Sequence, residues 1–447
     1  METKNNFNAR LLLTSNLAIF TIGLGFAVRA AIADDLRVKI FSVIDAAQSA
    51  TMVGQALGMT FLGFAFTLLI GSSLVDILGS KRILVFSALS NLVGSLLVLW
   101  ASLRPVDATS YTIVLLGLML TGLGWGGVEA AVNPLVVSID PENKIKRLNI
   151  LHAWWPAGIV FGGLFSILVK SFGLPWQTNL VVLCLPAFAI IMLVRGQVFP
   201  VTERVAQGVS YADMCRELYR RPQFLVFLCC MWLTTSSELA PGQWVDLTLS
   251  HTVGMSGIFI LIYVSSLMFV MRHFAGPIAH RLSSIGLLWV SSLLAAIGLF
   301  ALSRANSPVT AVLAATIWGA GVCFMWPTML AVVSERFVRG GALAMGLMGF
   351  IGGMAIQFLL PVLGKIFDDA KNLAAGGADK LATLSAEQSS QVIQIASRES
   401  FQVIALVPLI LLPIFAAIWL HDRRQSKKNA DQSVLSCESR ADPKLRN

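Results

Sequence analysis

Runs of about 20 apolar residues, nearly free of charge, recur along this chain, and no other feature constrains its fold as strongly. They fall at residues 11–33, 49–75, 83–101, 111–138, 149–170, 176–196, 223–247, 255–276, 285–303, 308–333, 340–366 and 399–421. Each is long enough for an α-helix to cross a hydrocarbon layer roughly 30 Å thick. In lipid every backbone N–H and C=O must find its partner within the segment, which selects helices. The short alternating segments of a membrane barrel do not occur. Charged residues make up 13% of the chain, against about 25% in soluble domains. The first run, Leu11 to Ala33, is too long for the apolar core of a cleavable signal.

The expected fold is an all-α polytopic membrane protein, with twelve transmembrane helices in two pseudo-symmetric six-helix bundles. Residues 1–196 form the first bundle and 223–421 the second. A polar linker, 197–222, carries Arg204, Arg216, Arg220 and Arg221 between them, and a charged, irregular tail occupies 422–447. Most of the 33 lysines and arginines, among them Lys81, Arg82, Lys144, Arg147, Arg336 and Arg339, lie on one side of this arrangement. The positive-inside rule makes that side cytoplasmic, with both termini there. The break at 367–398 then lies outside, as a short helix. The net charge of +9 is spread over short loops and the tail, so it does not indicate nucleic acid. The six cysteines, at 184, 215, 229, 230, 323 and 437, have no metal-ligand spacing. No nucleotide loop, zinc pattern or nucleophile elbow is present, so neither a cofactor nor a catalytic set is expected.

The loop after the second run reads Gly71-Ser-Ser-Leu74-Val-Asp76-Ile-Leu-Gly79-Ser-Lys81-Arg82, with a weak echo at Gly276 to Ser283 in the second half. Repeated halves are a device of secondary transporters. Leu74, Asp76, Gly79 and Lys81 fall in register with the signature of the major facilitator superfamily, which the chain resembles. The resemblance implies that Asp76, Gly79, Lys81 and Arg82 form a conformational latch between cytoplasmic helix ends. It also implies a monomer. A narrower resemblance, to the fucose–proton symporter branch, rests on several short strings in order. These are Gly122-Leu-Gly124-Trp125 to Glu129 and Asn133-Pro134, Arg147-Leu148-Asn149, Glu238 to Trp244, Arg272 to Gly276, Met325 to Thr328, and Gly352-Gly353 ahead of Pro361 and Asp368. It implies a carrier of a sugar with a proton in a bacterial inner membrane. The first helix departs from that branch: it carries Arg29 where the branch carries an aspartate.

Ionisable groups inside the bilayer are costly and therefore functional candidates. At 1.5 Å per residue, Glu129 lies about 6 Å from the midplane and Glu238 within about 5 Å. Trp125, Glu129 and Asn133 are spaced by four and share one helix face. A ring, a carboxylate and an amide on one face suit a sugar, and a carboxylate in a dry cavity can exchange a proton. Glu129 is thus the expected proton-coupling and substrate-contacting group. Pro241 and Gly242 bend the seventh helix beside Glu238 and Gln243, which are expected to meet substrate from the second half. Asn149 and Gln357 complete the expected substrate-binding set. Arg29, about 10 Å outward, either pairs with Glu129, snorkels outward, or binds an anionic substrate. Arg272 reads as a structural residue near the cytoplasmic end of its helix. The leading function is alternating-access transport of a small polar solute, a sugar with a proton. Alternatives are an organic-anion carrier or metabolite exporter, and a non-transporting membrane receptor.

Overall fold

The structure, a computed structural model, describes residues 2–139, 144–201, 208, 210–249, 254–273 and 281–441. It is helical throughout these residues. The helices are α1 (Glu2–Leu36), α2 (Ser49–Leu78), α3 (Ser80–Leu103), α4 (Ala108–Ile139) and α5 (Lys144–Ser171). Next comes α6, in two pieces (Thr178–Val182 and Cys184–Val194). A linker helix (Tyr211–Arg220) leads to α7 (Gln223–Leu249), α8 (Ile258–Arg272) and α9 (Ser284–Leu302). The chain ends with α10, also in two pieces (Pro308–Val322 and Met325–Arg336), α11 (Gly341–Ala374) and α12 (Ala386–Ala441). Among the described residues ten helices are long and apolar enough to cross a membrane, and Thr178–Val194 and Ile258–Arg272 are shorter apolar helices.

The outward faces show the surrounding solvent. On α3, Phe86, Leu89, Val93, Leu96 and Trp100 are all exposed, and their spacing of three and four places them in one stripe. On α5 Phe161, Leu164 and Leu168 do the same. Continuous apolar stripes of this kind belong against lipid, not water. The chain is an integral, multi-pass membrane protein.

In two segments helix runs further than expected. The segment 367–398 is mostly helical, because α11 runs on to Ala374 and α12 begins at Ala386. The latter continues to Ala441, through the stretch expected to be irregular; a nucleated helix extends at one hydrogen bond per residue.

Helix contacts are close because small residues line them. α1 lies on α5, α4 lies between α2 and α3, and α9 lies on α10 and α12. The first six helices meet the last six along α2–α11, α5–α8 and α1–α7. At Gly122 of α4 an added Cβ would stand 1.9 Å from the Thr60 carbonyl oxygen of α2, and at Gly23 of α1 it would stand 1.9 Å from that of Trp155 on α5. Gly122→Ala must push α2 and α4 apart, with an expected loss of about 1–3 kcal/mol. A thermal-unfolding midpoint unchanged from the parent chain would contradict this contact.

Candidate functional site

Proline chemistry organises the centre of the molecule. A proline inside a helix has no N–H, so the carbonyl four residues earlier loses its partner. Pro156 in α5 orphans the His152 carbonyl, Pro327 in α10 that of Cys323, and Pro241 in α7 that of Ser237. In each case a side chain from another helix supplies the missing donor. Arg272 of α8 donates Nη1–H to the His152 oxygen and Nε–H to the Cys323 oxygen, both at 3.1 Å. Trp318 of α10 donates Nε1–H to the Ser237 oxygen at 3.1 Å. The loss at Pro327 coincides with the interruption of α10 between Val322 and Met325.

The remaining nitrogen of Arg272, Nη2, pairs with Glu238 Oε1 at 3.4 Å. Both side chains are about 5% exposed. Arg272 is the last residue of α8, at a helix end as expected, yet it is not exposed there. It is buried beside Glu238 and the break in α10, because three acceptors on three helices converge on its guanidinium. The second oxygen of Glu238, Oε2, is buried without a hydrogen-bond partner among the described residues. Glu238 lines a narrow cavity with room for about one water molecule. Phe26 of α1 and Trp155 of α5 face Glu238, Leu261 of α8 and Trp318 across it. The cavity thus lies where the first six helices meet the last six.

Glu129 lies on the other side of His152. Its Oε2 accepts from Asn133 Nδ2 at 2.7 Å and stands 4.0 Å from His152 Nε2. A buried polar string results: Glu129, the His152 ring and carbonyl, Arg272, Glu238. It joins an acid of α4 to an acid of α7 through two helices that meet across the seam.

Arg29 is buried too, at 2% exposure, so it does not snorkel. α1 continues past it for seven residues, and a π-helical turn, Arg37–Phe41, follows. Its guanidinium carbon lies 3.8 Å from the centroid of the Trp125 ring and 5.7 Å from that of Phe61. No carboxylate among the described residues forms an ion pair or hydrogen bond with it, and its three nitrogens lack partners there. The indole Nε1 of Trp125 is buried and lacks one as well.

The other expected contacts are distributed. Gln243 donates Nε2–H to the Phe26 carbonyl at 2.9 Å, tying α7 to α1. Gln357 lies in the α2–α11 seam, its Oε1 buried and 3.1 Å from where a Cβ on Gly58 would stand. The side chain of Asn149 lies outside the described residues. At the loop expected to act as a latch, Gly79 has φ 78 and ψ 141, a conformation suited to glycine, and it separates α2 from α3. Lys81 donates to the Gln197 carbonyl at 3.4 Å, Arg82 is exposed, and Asp76 is half-buried. The sequence reading missed Phe26 and Trp155 as cavity walls. A rule that a proline inside a helix frees the carbonyl four residues back would have put His152, Ser237 and Cys323 among its candidates.

Residues 11–369 match the sequence pattern of the Major Facilitator Superfamily. No curated protein matches the chain in sequence. Among solved structures, a D-xylose–proton symporter superposes with a TM-score of 0.69 at 15% identity, covering 88% of this chain and 96% of its own. The xylose transporter XylE from E. coli, in a partially occluded inward-open conformation, gives 0.70 at 14% identity over 91% and 97%. The nucleoside transporter NupG, as a variant, gives 0.67 at 12% identity over 92% and 99%. At these identities the likeness is one of fold.

Proposed function

The chain belongs to the Major Facilitator Superfamily, and from that premise we propose that it is a secondary transporter carrying a small, sugar-sized polar solute together with a proton by alternating access. In this reading helices α1–α6 and α7–α12 form two six-helix bodies that rock against each other. The ten long apolar helices and the two shorter ones make twelve crossings, and the basic loops and both termini face the cytoplasm. The observation that carries the proposal is the narrow cavity at the seam, lined by Glu238, whose Oε2 makes no hydrogen bond among the described residues. Acids buried at a seam between helices mark solute or proton pathways more often than scaffolding.

The roles divide by surroundings. Glu238 is held by Arg272 on one oxygen and offers the other to a solute hydroxyl. Phe26, Trp155 and Trp318 offer ring faces to the solute's C–H surface. Glu129, matched by the neutral Asn133 and the His152 ring, takes up and releases the proton. The titrating step and the binding step then communicate through the His152–Arg272 string. Gly79 and its neighbours Asp76, Lys81 and Arg82 hold the cytoplasmic ends together in the outward-facing state.

Glu129→Gln tests the coupling. In proteoliposomes the variant is expected to exchange solute across the bilayer at equilibrium and to fail to accumulate it when a pH gradient is imposed. Accumulation driven by pH in Glu129→Gln, at the parent's level, removes Glu129 from the proton path. Glu238→Gln is expected to weaken solute binding by roughly tenfold, the equivalent of one charge-assisted hydrogen bond, measured by thermal shift against the same solute.

A further inference from the structure

We propose that the solute carries a carboxylate, and that Arg29 binds it. The inference rests on the transport reading above and narrows its substrate to sugar acids and other small monocarboxylates.

Arg29 is the observation that the neutral-sugar reading leaves over. A guanidinium has five N–H donors in its plane, and stacking on a ring uses only its faces. Trp125 lies against the Arg29 guanidinium at 3.8 Å, Phe61, perpendicular to Trp125, stands 5.7 Å away, and no described acceptor meets the guanidinium nitrogens. The buried Trp125 Nε1–H adds a sixth donor on the same patch. Donors without acceptors at such burial are costly, and an unpaired buried cation costs more than a neutral group. A sugar hydroxyl would satisfy a donor or two but leave the charge. A carboxylate satisfies both, through the parallel pair of bonds that guanidinium geometry favours.

Charge counting limits the ligand to one negative charge. Glu238 is matched by Arg272. The titratable groups that remain around the string are Glu129 on α4 and His152 on α5, which face each other at 4.0 Å. When Glu129 carries its proton, Arg29 is one uncompensated positive charge, set against Trp125, which lies one helical turn from that acid along α4. A monocarboxylate balances it; a phosphate ester, with close to two charges, does not. The patch also adjoins the cavity. Phe61 contacts Phe26 edge to face, at 6.5 Å between centroids, and Phe26 is a wall of the cavity. Arg29, Trp125 and Phe61 do not themselves line that cavity, so a hexose-sized acid that reaches both Arg29 and Glu238 enters as the seam opens.

The test uses the full chain in detergent and in proteoliposomes, with D-glucuronate and D-gluconate as acids and D-glucose and D-glucitol as their neutral counterparts. The acids are expected to raise the unfolding temperature and to exchange in counterflow, and the neutral compounds to do neither at matched concentration. Arg29→Met is expected to lose acid affinity on the order of a hundredfold, and Arg29→Lys to keep part of it. Without ligand, Arg29→Met should unfold at or above the parent's temperature, since an unpaired buried charge has been replaced by an apolar chain. A purely structural arginine gives the opposite sign. Binding of D-glucose that persists in Arg29→Met overturns the carboxylate and leaves the transport reading standing. A parent chain that responds to neither acids nor neutral sugars overturns both.

Discussion

Arg272→Met is expected to destabilise the protein by about 3–5 kcal/mol, the range for removing one partner of a buried ion pair. The variant leaves the Glu238 carboxylate buried and uncompensated, with one oxygen already lacking a partner. It also orphans the carbonyls of His152 and Cys323, whose helical donors Pro156 and Pro327 cannot provide. Two predictions distinguish these parts. Arg272→Met combined with Glu238→Gln should recover much of the loss, because the lone charge goes with its partner. Adding Pro156→Ala should recover about 1 kcal/mol more, by giving the His152 carbonyl an N–H in its own helix. Arg272→Lys should not substitute, since a compact ammonium on a flexible stem cannot serve three acceptors fixed on three helices. Unfolding midpoints of the parent and these four variants in one detergent check the set. An Arg272→Met chain as stable as the parent would show that the three contacts contribute nothing.

The same residues show which features the sequence discloses. Apolar runs against polar loops are legible because a bilayer core needs about 20 apolar residues per crossing. Gly79 is legible as a break, since its positive φ ends α2 and starts α3. Glu129 beside Asn133 is legible, because a spacing of four puts both on one face and the hydrogen bond follows. Depth was harder to read. Counting 1.5 Å per residue places Arg272 by its own helix alone, yet its position is set by acceptors on α5, α7 and α10. Arg29 likewise looked able to reach solvent, whereas Trp125 and Phe61, from α4 and α2, enclose it. Period and spacing act within one helix. Partners across a seam depend on how helices are arranged around one another, which no local pattern encodes. Prolines are an intermediate case, because the orphaned carbonyl is readable from sequence and its rescuer is not.

Asp368→Ala is expected to cost a comparable amount, about 3–5 kcal/mol, at the opposite end of the molecule from Gly79. Asp368 of α11 is buried, at 3% exposure, and lies at the start of α2. Its Oδ2 accepts from the backbone N–H and from the hydroxyl of Thr51, each at 2.7 Å, and its Oδ1 accepts from Lys371 Nζ at 2.7 Å. Lys371 reaches on to the Ala46 carbonyl at 3.3 Å. The first N–H groups of a helix need acceptors, and a carboxylate there is favoured by the helix dipole. Gln48, the residue ahead of α2, makes no side-chain cap, so the cap comes from α11 instead. Removing it exposes a helix start and leaves Lys371 buried without its counter-charge. Asp368→Asn keeps an acceptor for Thr51 and loses the charge, so it should fall between parent and Ala. Thr51→Val, which deletes only the hydroxyl bond, should cost about 1 kcal/mol. The joint also ties one body of the proposed transporter to the other, so weakening it should favour the conformation in which α2 and α11 part at that end. Ser49 is buried there in the present conformation. With the six native cysteines replaced by alanine, the Ser49→Cys variant should react with an external thiol reagent faster when Asp368→Asn is present than when it is absent. Equal labelling rates, together with the expected loss of stability, would make Asp368 a cap for α2 and not a gate.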